Sequence, residues 1–292
     1  MKQILHVLHP FVVFFLHAML IASISRAEDS ASPSVDDFAQ VNEGRYQVFA
    51  QSGHQMARQV NLFMNKMLRQ YETFFNNQTD KRTARVVVFN KSADFRQYAT
   101  AAIGQPHPWL AGYCKPSTDA AGNRSFELVV FENAAVWPTL AHEGFHQFLA
   151  YELGPRIPVW LNEGLAQYFE TSHFLGSTFV VGNPDFGKLR QVQALIKSGL
   201  APPLKEIVQW TPASFYSRAG IAYPMSWALA YYCLKSNHDP TVATEFHRYL
   251  DAVKAGGDDL PKAQERFAQD SQRWQSDFND SFLHLSDAMG LQ

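Results

Sequence analysis

Residues 142–146 read His142-Glu143-Gly144-Phe145-His146, an HExxH arrangement. On a helix, side chains four positions apart stack on one face with Cβ atoms about 5–6 Å apart. Two imidazoles at that spacing can converge on one metal ion, and Glu143, one position round, can reach a water held there. By itself the pattern also fits two ordinary solvated or core histidines. The next helical stretch narrows the choice. It reads Pro158-Val159-Trp160-Leu161-Asn162-Glu163-Gly164-Leu165-Ala166-Gln167-Tyr168-Phe169-Glu170, and Glu163 sits amid its apolar stripe. A lone carboxylate there costs several kcal/mol unless it is paired or bound to a cation. Glu163 follows His146 by 17 positions. That is enough chain to finish one helix, turn at Gly154-Pro155 and return beside it, which would make Glu163 a third ligand. A surface or capping role for Glu163 is the ordinary alternative.

Two neutral imidazoles and one carboxylate would leave a zinc ion at net +1 with a fourth position open. Zinc held in that way can lower the pKa of its bound water to about 7. Glu143 could then accept the water's proton and deliver it to a leaving amine, while the metal polarises the scissile carbonyl. Gln167, four positions after Glu163, either orients a ligand or is simply exposed.

The HExxH pattern followed by Trp-Leu-Asn-Glu-Gly-Leu-Ala-Gln-Tyr-Phe-Glu resembles the gluzincin metallopeptidases, and most closely the peptidase MA-like families that include the aminopeptidase-N type. The specific match runs from His142 to Glu170. The resemblance implies His142, His146 and Glu163 as ligands of one Zn2+ per chain and Glu143 as general base. It implies an oxyanion-stabilising tyrosine from the following helical region. Tyr223 is the first candidate by spacing and Tyr216 the second, with a plain core tyrosine as the alternative. The segment Phe126 to Phe131 resembles by position the edge strand on which zincins pair extended substrate; ordinary sheet core is the alternative. Glu132-Asn133 lies only ten residues before His142 and lacks the Gly and Met of the aminopeptidases' exopeptidase motif, so recognition of a free amino terminus is not implied. The function implied is an exported zinc-dependent peptidase acting on a peptide or protein. Two other readings stand beside it: a catalytically silent gluzincin-like binding or scaffold module in the cell envelope, and a metal-free helical interaction domain.

These residues need elements to position them. Met56, Val60, Phe63, Met64, Met67, Leu68, Tyr71, Phe74 and Phe75 fall on one helical stripe, as a core-facing amphipathic helix requires. Tyr46 to Phe49 and the β-branched run Arg85 to Phe89 read as strands. Ser92 to Thr100 reads as a short helix capped by Ser92. Leu110 to Tyr113 and Phe126 to Phe131 read as two strands joined by a polar loop containing Asp119 to Asn123. The order is βαβαββ leading into helices, and from about Gly176 the pattern is all helical. The fold expected is α+β: a zincin-like lobe with a small mixed sheet and the HExxH helix over residues 43–175, packed on a helical lobe over 176–292, with the active site in the cleft between them.

The N-terminus reads as an address. Lys2 precedes an apolar run, Phe11 to Ile24, then Ser25-Arg26-Ala27 and the polar Glu28-Asp29-Ser30. That is the order of a secretory signal peptide, cleaved after Ala27, with a loose leader over 28–42. An uncleaved anchor is the alternative, but a span needs about 20 apolar residues and this run is shorter. The mature protein is expected to be secreted or periplasmic, with no membrane span. There Cys114 and Cys233 are either bridged or two buried thiols. The whole chain has 292 residues, 46% hydrophobic and 18% charged, with 25 Lys+Arg against 27 Asp+Glu. That composition excludes a disordered tail, and a net charge of -2 excludes nucleic acid as an evident partner.

Overall fold

The structure is a computed structural model that describes residues 34–76, 83–108, 110–118, 124–153, 157–235 and 239–288. The signal segment, the Asp119–Asn123 loop and the Gly154-Pro155 turn lie outside them. The fold is mixed α+β, with a small mixed sheet and many helices. Two compact units divide the chain after Gln147.

In the first unit, a short 3-10 turn (Val35–Asp37) leads into β1 (Ala39–Glu43) and β2 (Tyr46–Ala50). Then come α1 (His54–Phe75), β3 (Ala84–Phe89), α2 (Ser92–Ile103), β4 (Gly112–Thr118) and β5 (Arg124–Phe131). The strands form one sheet in the order β1-β2-β3-β5-β4. β2, β3 and β5 run parallel, while the two outer strands run antiparallel to their neighbours. Alternation along the strands divides the sheet into two apolar faces. Phe49, Val87, Phe89 and Val129 pack with Phe95 and Ala99 of α2. On the other side, α1 packs along β1 and β2 through the stripe that its sequence periodicity marks.

Three elements depart from the sequence reading. Ala39 to Glu43, placed mostly in the leader, form edge strand β1. Its residues alternate between half-buried and exposed, and it is held by the ladder to β2 and by Asn61 and Asn65, whose amides donate to the Glu43 carbonyl. Backbone pairing of that kind leaves little apolar signature. Ser92 is the first helical residue of α2 and not its cap; Lys91 occupies the cap position, with no side-chain capping bond. Most consequentially, Phe126 to Phe131 is not an edge. β5 is flanked by β3 and β4, and β4 is the outer strand. The near-continuous apolar run Phe126-Glu127-Leu128-Val129-Val130-Phe131 suits an interior strand, whereas Pro116 in β4, lacking an N–H, suits an edge.

The helix α3 (Val136–Glu152) carries the chain from the first unit into the second. The second unit continues with α4 (Val159–Glu170), β6 (His173–Leu175), β7 (Thr178–Val180), α5 (Phe186–Lys197), α6 (Leu204–Val208) and α7 (Pro212–Tyr216). Then follow α8 (Ala219–Lys235), α9 (Pro240–Ala255), α10 (Leu260–Arg273) and α11 (Gln275–Ala288). The small antiparallel hairpin β6–β7 corrects the expectation of a purely helical region beyond Gly176. α8 is apolar nearly all round, with Ala222 to Ala230 all buried, so it forms the centre of this unit and packs on α4, α5, α6, α7 and α9. Cys114 on β4 and Cys233 on α8 are both free thiols, and burial raises the pKa of each. Among the described residues, no helix is long and apolar enough to cross a membrane.

Candidate metal centre

Helix α3 is held on its sheet side by α1. The Tyr71 hydroxyl donates to the Ala141 carbonyl at 2.7 Å, one residue before His142. Phe145, inside the HExxH segment, stacks on Phe75 and meets Tyr71 edge-on. Burial pushes the Tyr71 phenol well above its ordinary pKa, with Tyr46 adding to it, so the hydroxyl stays a donor. Gln147 ties the same helix to the sheet by donating to the carbonyls of Arg85 and Phe126. The histidines therefore project from a helix that is fixed along its length.

Helix α4 is fixed as firmly. Trp160 stacks nearly parallel to Tyr249 of α9 and Phe267 of α10, at interplanar angles of 9° and 7°. One turn on, Gly164 lets the backbone of α8 come close: a Cβ built there would lie 2.5 Å from the Ser226 carbonyl oxygen. Gln167 is buried, and its amide donates to the backbone carbonyls of Glu163 and Tyr223 at 3.2 and 2.9 Å. Of the two roles open to Gln167, exposure is thus excluded; it couples α4 to α8 beside Glu163.

His142 and His146 of α3 and Glu163 of α4 are all buried, and one ligand atom from each lies within 4.8 Å of the other two. The two histidine Nε2 atoms stand 3.0 Å apart, with the ring planes at 79° to each other. Metal–nitrogen bonds of about 2.0–2.1 Å in tetrahedral geometry place two ligand nitrogens about 3.3 Å apart. The pair is therefore close to ligating distance already. The donor set fits as well: imidazole nitrogens and one carboxylate suit a divalent ion, and Glu163, with no exposed surface, is a carboxylate whose burial a cation would offset. The group could hold a metal ion.

Glu143 is buried next to His142. Its charge, with that of Glu127, adds to the burial that raises the Cys114 thiol, so Glu143 stands near edge strand β4. Gly112 gives the register: a Cβ there would lie 2.6 Å from the Thr139 methyl. Two strand residues advance about 6.6 Å and four helical residues about 6 Å. Gly112 and Cys114 of β4 thus keep step with Thr139 and Glu143 of α3, and β4 runs along the face of α3 that carries Glu143. The sequence reading placed a strand at Leu110 to Tyr113 but missed its extension to Thr118 and its place at the sheet edge, although Pro116 signals an edge.

The two candidate tyrosines occupy different places. Tyr223 lies on α8, buried, packed edge-on against Phe215, with its carbonyl taken by Gln167. Tyr216 ends α7, half-buried, and its hydroxyl donates to Glu163 Oε1 at 3.1 Å. Tyr216 is thus in direct contact with a residue of the candidate metal group.

A protein-family model described as "Protein of unknown function (DUF1570)" matches residues 136–252. That is less than half of the chain, but it contains His142, Glu143, His146, Glu163, Tyr216 and Tyr223. No curated protein matches the chain.

Proposed function

We propose that this chain is an exported zinc-dependent peptidase of gluzincin type. The observation that carries the reading is the convergence of His142, His146 and Glu163 beside a further buried carboxylate, Glu143. A purely structural site needs no such base and closes its fourth position with a protein ligand. Within the described residues, the candidate group holds three side chains. Zinc is the ion that the resemblance implies and that His2Glu sites with an open vertex employ. The zincin-like lobe arrangement expected from the sequence belongs to the same proposal, as does export, which rests on the signal-like N-terminus.

When bound, the ion would supply Lewis acidity to a water and to the scissile carbonyl. The protein's residues do the rest. Glu143 accepts a proton from the attacking water and returns it to the departing amine. His142, His146 and Glu163 would hold the ion; Tyr71 of α1 and Phe145 fix α3, and Gly164 and Gln167 fix α4. The outer side of β4, which pairs with β5 alone among the described strands, offers backbone donors and acceptors to an extended peptide. Strand addition there gives sequence-tolerant affinity and would lead the peptide along α3 past Glu143.

The test combines zinc analysis with cleavage of a peptide library, with and without chelator, in the wild type and Glu143→Gln. The expected result is one zinc per chain in both proteins, chelator-sensitive cleavage in the wild type and none in Glu143→Gln. Cleavage by Glu143→Gln at the wild-type rate would remove Glu143 as the base. Zinc binding with no cleavage of any peptide would favour the binding-module reading.

A further inference from the structure

The Tyr216 hydroxyl reaches from a half-buried position to Glu163 Oε1 at 3.1 Å, and the helix that presents it is built to hold it still. α7 has only five residues, too few to be stable through its own hydrogen bonds. Its fixity comes from its start and from its core side chain. Thr211 and Ser214 form a reciprocal capping box, with Pro212 at the first helical position, which pins the backbone. Phe215 is fully buried and meets Trp210, Tyr216 and Tyr223 edge-on at centroid distances of 5.9, 5.3 and 5.0 Å. Tyr216 thus arrives at Glu163 with its ring already packed.

A phenol hydroxyl on one oxygen of a ligand carboxylate has a definite consequence. It accounts for a lone pair of Oε1, restricts rotation of the carboxylate about its last bond, and favours presentation of Oε2 to the ion. Groups that orient a ligand in this way typically change metal affinity 10–100-fold when removed. The geometry points to Tyr216 as a positioning residue of the metal centre, fixing Glu163 as a one-oxygen ligand through its hydroxyl. It would act through Glu163 and not on the substrate, which separates it from the oxyanion role weighed for it and for Tyr223. The inference rests on the proposed metal site and deepens it.

Tyr216→Phe isolates the hydroxyl, because the ring that packs on Phe215 is retained. The readouts are zinc affinity by competition with a chromophoric chelator and the visible absorption of the cobalt(II)-loaded protein, which reports ligand geometry independently of turnover. The expected result is a roughly 10–100-fold weaker zinc complex and an altered cobalt spectrum, in a metal-free protein that still unfolds cooperatively, at a somewhat lower temperature because one hydrogen bond to the buried Glu163 is lost. Wild-type zinc affinity together with a wild-type cobalt spectrum in Tyr216→Phe would overturn the inference while leaving the metal site standing. Failure of the wild-type protein itself to bind either ion would overturn the metal site instead.

Discussion

Replacing Gly164 by Ala sets two effects of opposite sign against each other. In an open helix, Ala in place of Gly stabilises by about 1 kcal/mol. At Gly164 the new Cβ would lie 2.5 Å from the Ser226 carbonyl oxygen, 2.9 Å from its carbon and 3.3 Å from the Ala230 Cβ. Restoring an ordinary 3.4 Å contact requires α4 and α8 to part by roughly 0.9 Å, and overpacking of this kind costs about 1–3 kcal/mol. The obstructing atoms belong to a backbone that cannot rotate away, so the upper part of that range applies, and the net loss should be about 1–2 kcal/mol. Glu163 precedes Gly164 directly. Metal–ligand distances tolerate only about ±0.2 Å, so the displacement should also weaken metal binding by about tenfold or more. Gly144→Ala serves as the control. There the nearest obstacle is the terminal methyl of Met64, at 2.6 Å, on a side chain that moves easily, and stability should change little. Urea denaturation of the metal-free variants and zinc competition with a chelator measure both quantities. A Gly164→Ala protein stabilised by the full helix-propensity gain, with wild-type zinc affinity, would refute the close packing of α4 on α8 as the device that places Glu163.

Glu163→Gln removes the carboxylate charge while keeping its shape, so zinc affinity should fall well below that of the wild type, whereas Glu143→Gln should bind zinc normally; equal affinities in equilibrium dialysis would take Glu163 out of the ligand set. A separate prediction concerns Lys188, whose ammonium lies 2.5 Å from Glu170 and 2.9 Å from Asp185. Burial pushes the Asp185 carboxyl up, but Lys188 outweighs it and holds the pKa below the ordinary value. Burial likewise pulls Lys188 down, and Glu170 with Asp185 more than reverses it. Asp185 therefore contributes stability that is present above its unfolded pKa near 3.8 and lost as pH falls through its lower folded value. Lys188 contributes stability that is complete below 10.5 and lost as pH rises through its higher folded value. Lys188→Met should cost about 1–3 kcal/mol at neutral pH, less than a fully buried pair because all three groups keep some exposure, and should flatten the acid limb. Urea midpoints that fall equally in both proteins as pH is lowered from about 5 to about 2 would count against the pairing.

Much of the site was legible because its chemistry is local. Two histidines four apart, with Glu143 between them, need only a helix to be brought together, and Phe145, Phe148 and Leu149 mark that helix. Glu163 was legible because a carboxylate among Trp160, Leu161 and Leu165 calls for a cation or a partner. The strands β3 and β5 and the stripe of α1 followed from residue type and period. The elements that escaped are those whose stability comes from elsewhere in the chain. β1 is held by its ladder and by two asparagines of α1. The hairpin β6–β7 is short and exposed, although Gly176, at φ 59°, marks its turn. That β4 and not β5 forms the sheet edge depends on the order in which strands pair, which residue patterns reflect only weakly; Pro116 is the one local sign. Tyr216 could be shortlisted by spacing, but its bond to Glu163 depends on how α7 packs, which no periodicity records.

The proposed metal centre is tested most directly by soaking crystals of the mature protein in zinc and collecting anomalous data at the zinc edge. The expected result is a single strong peak about 2.0–2.1 Å from His142 Nε2 and His146 Nε2 and about 2.0–2.2 Å from one Glu163 oxygen, with the remaining ligand a water. A peak elsewhere, or one at the histidines with Glu163 turned away or with a fourth protein side chain closing the shell, would contradict it.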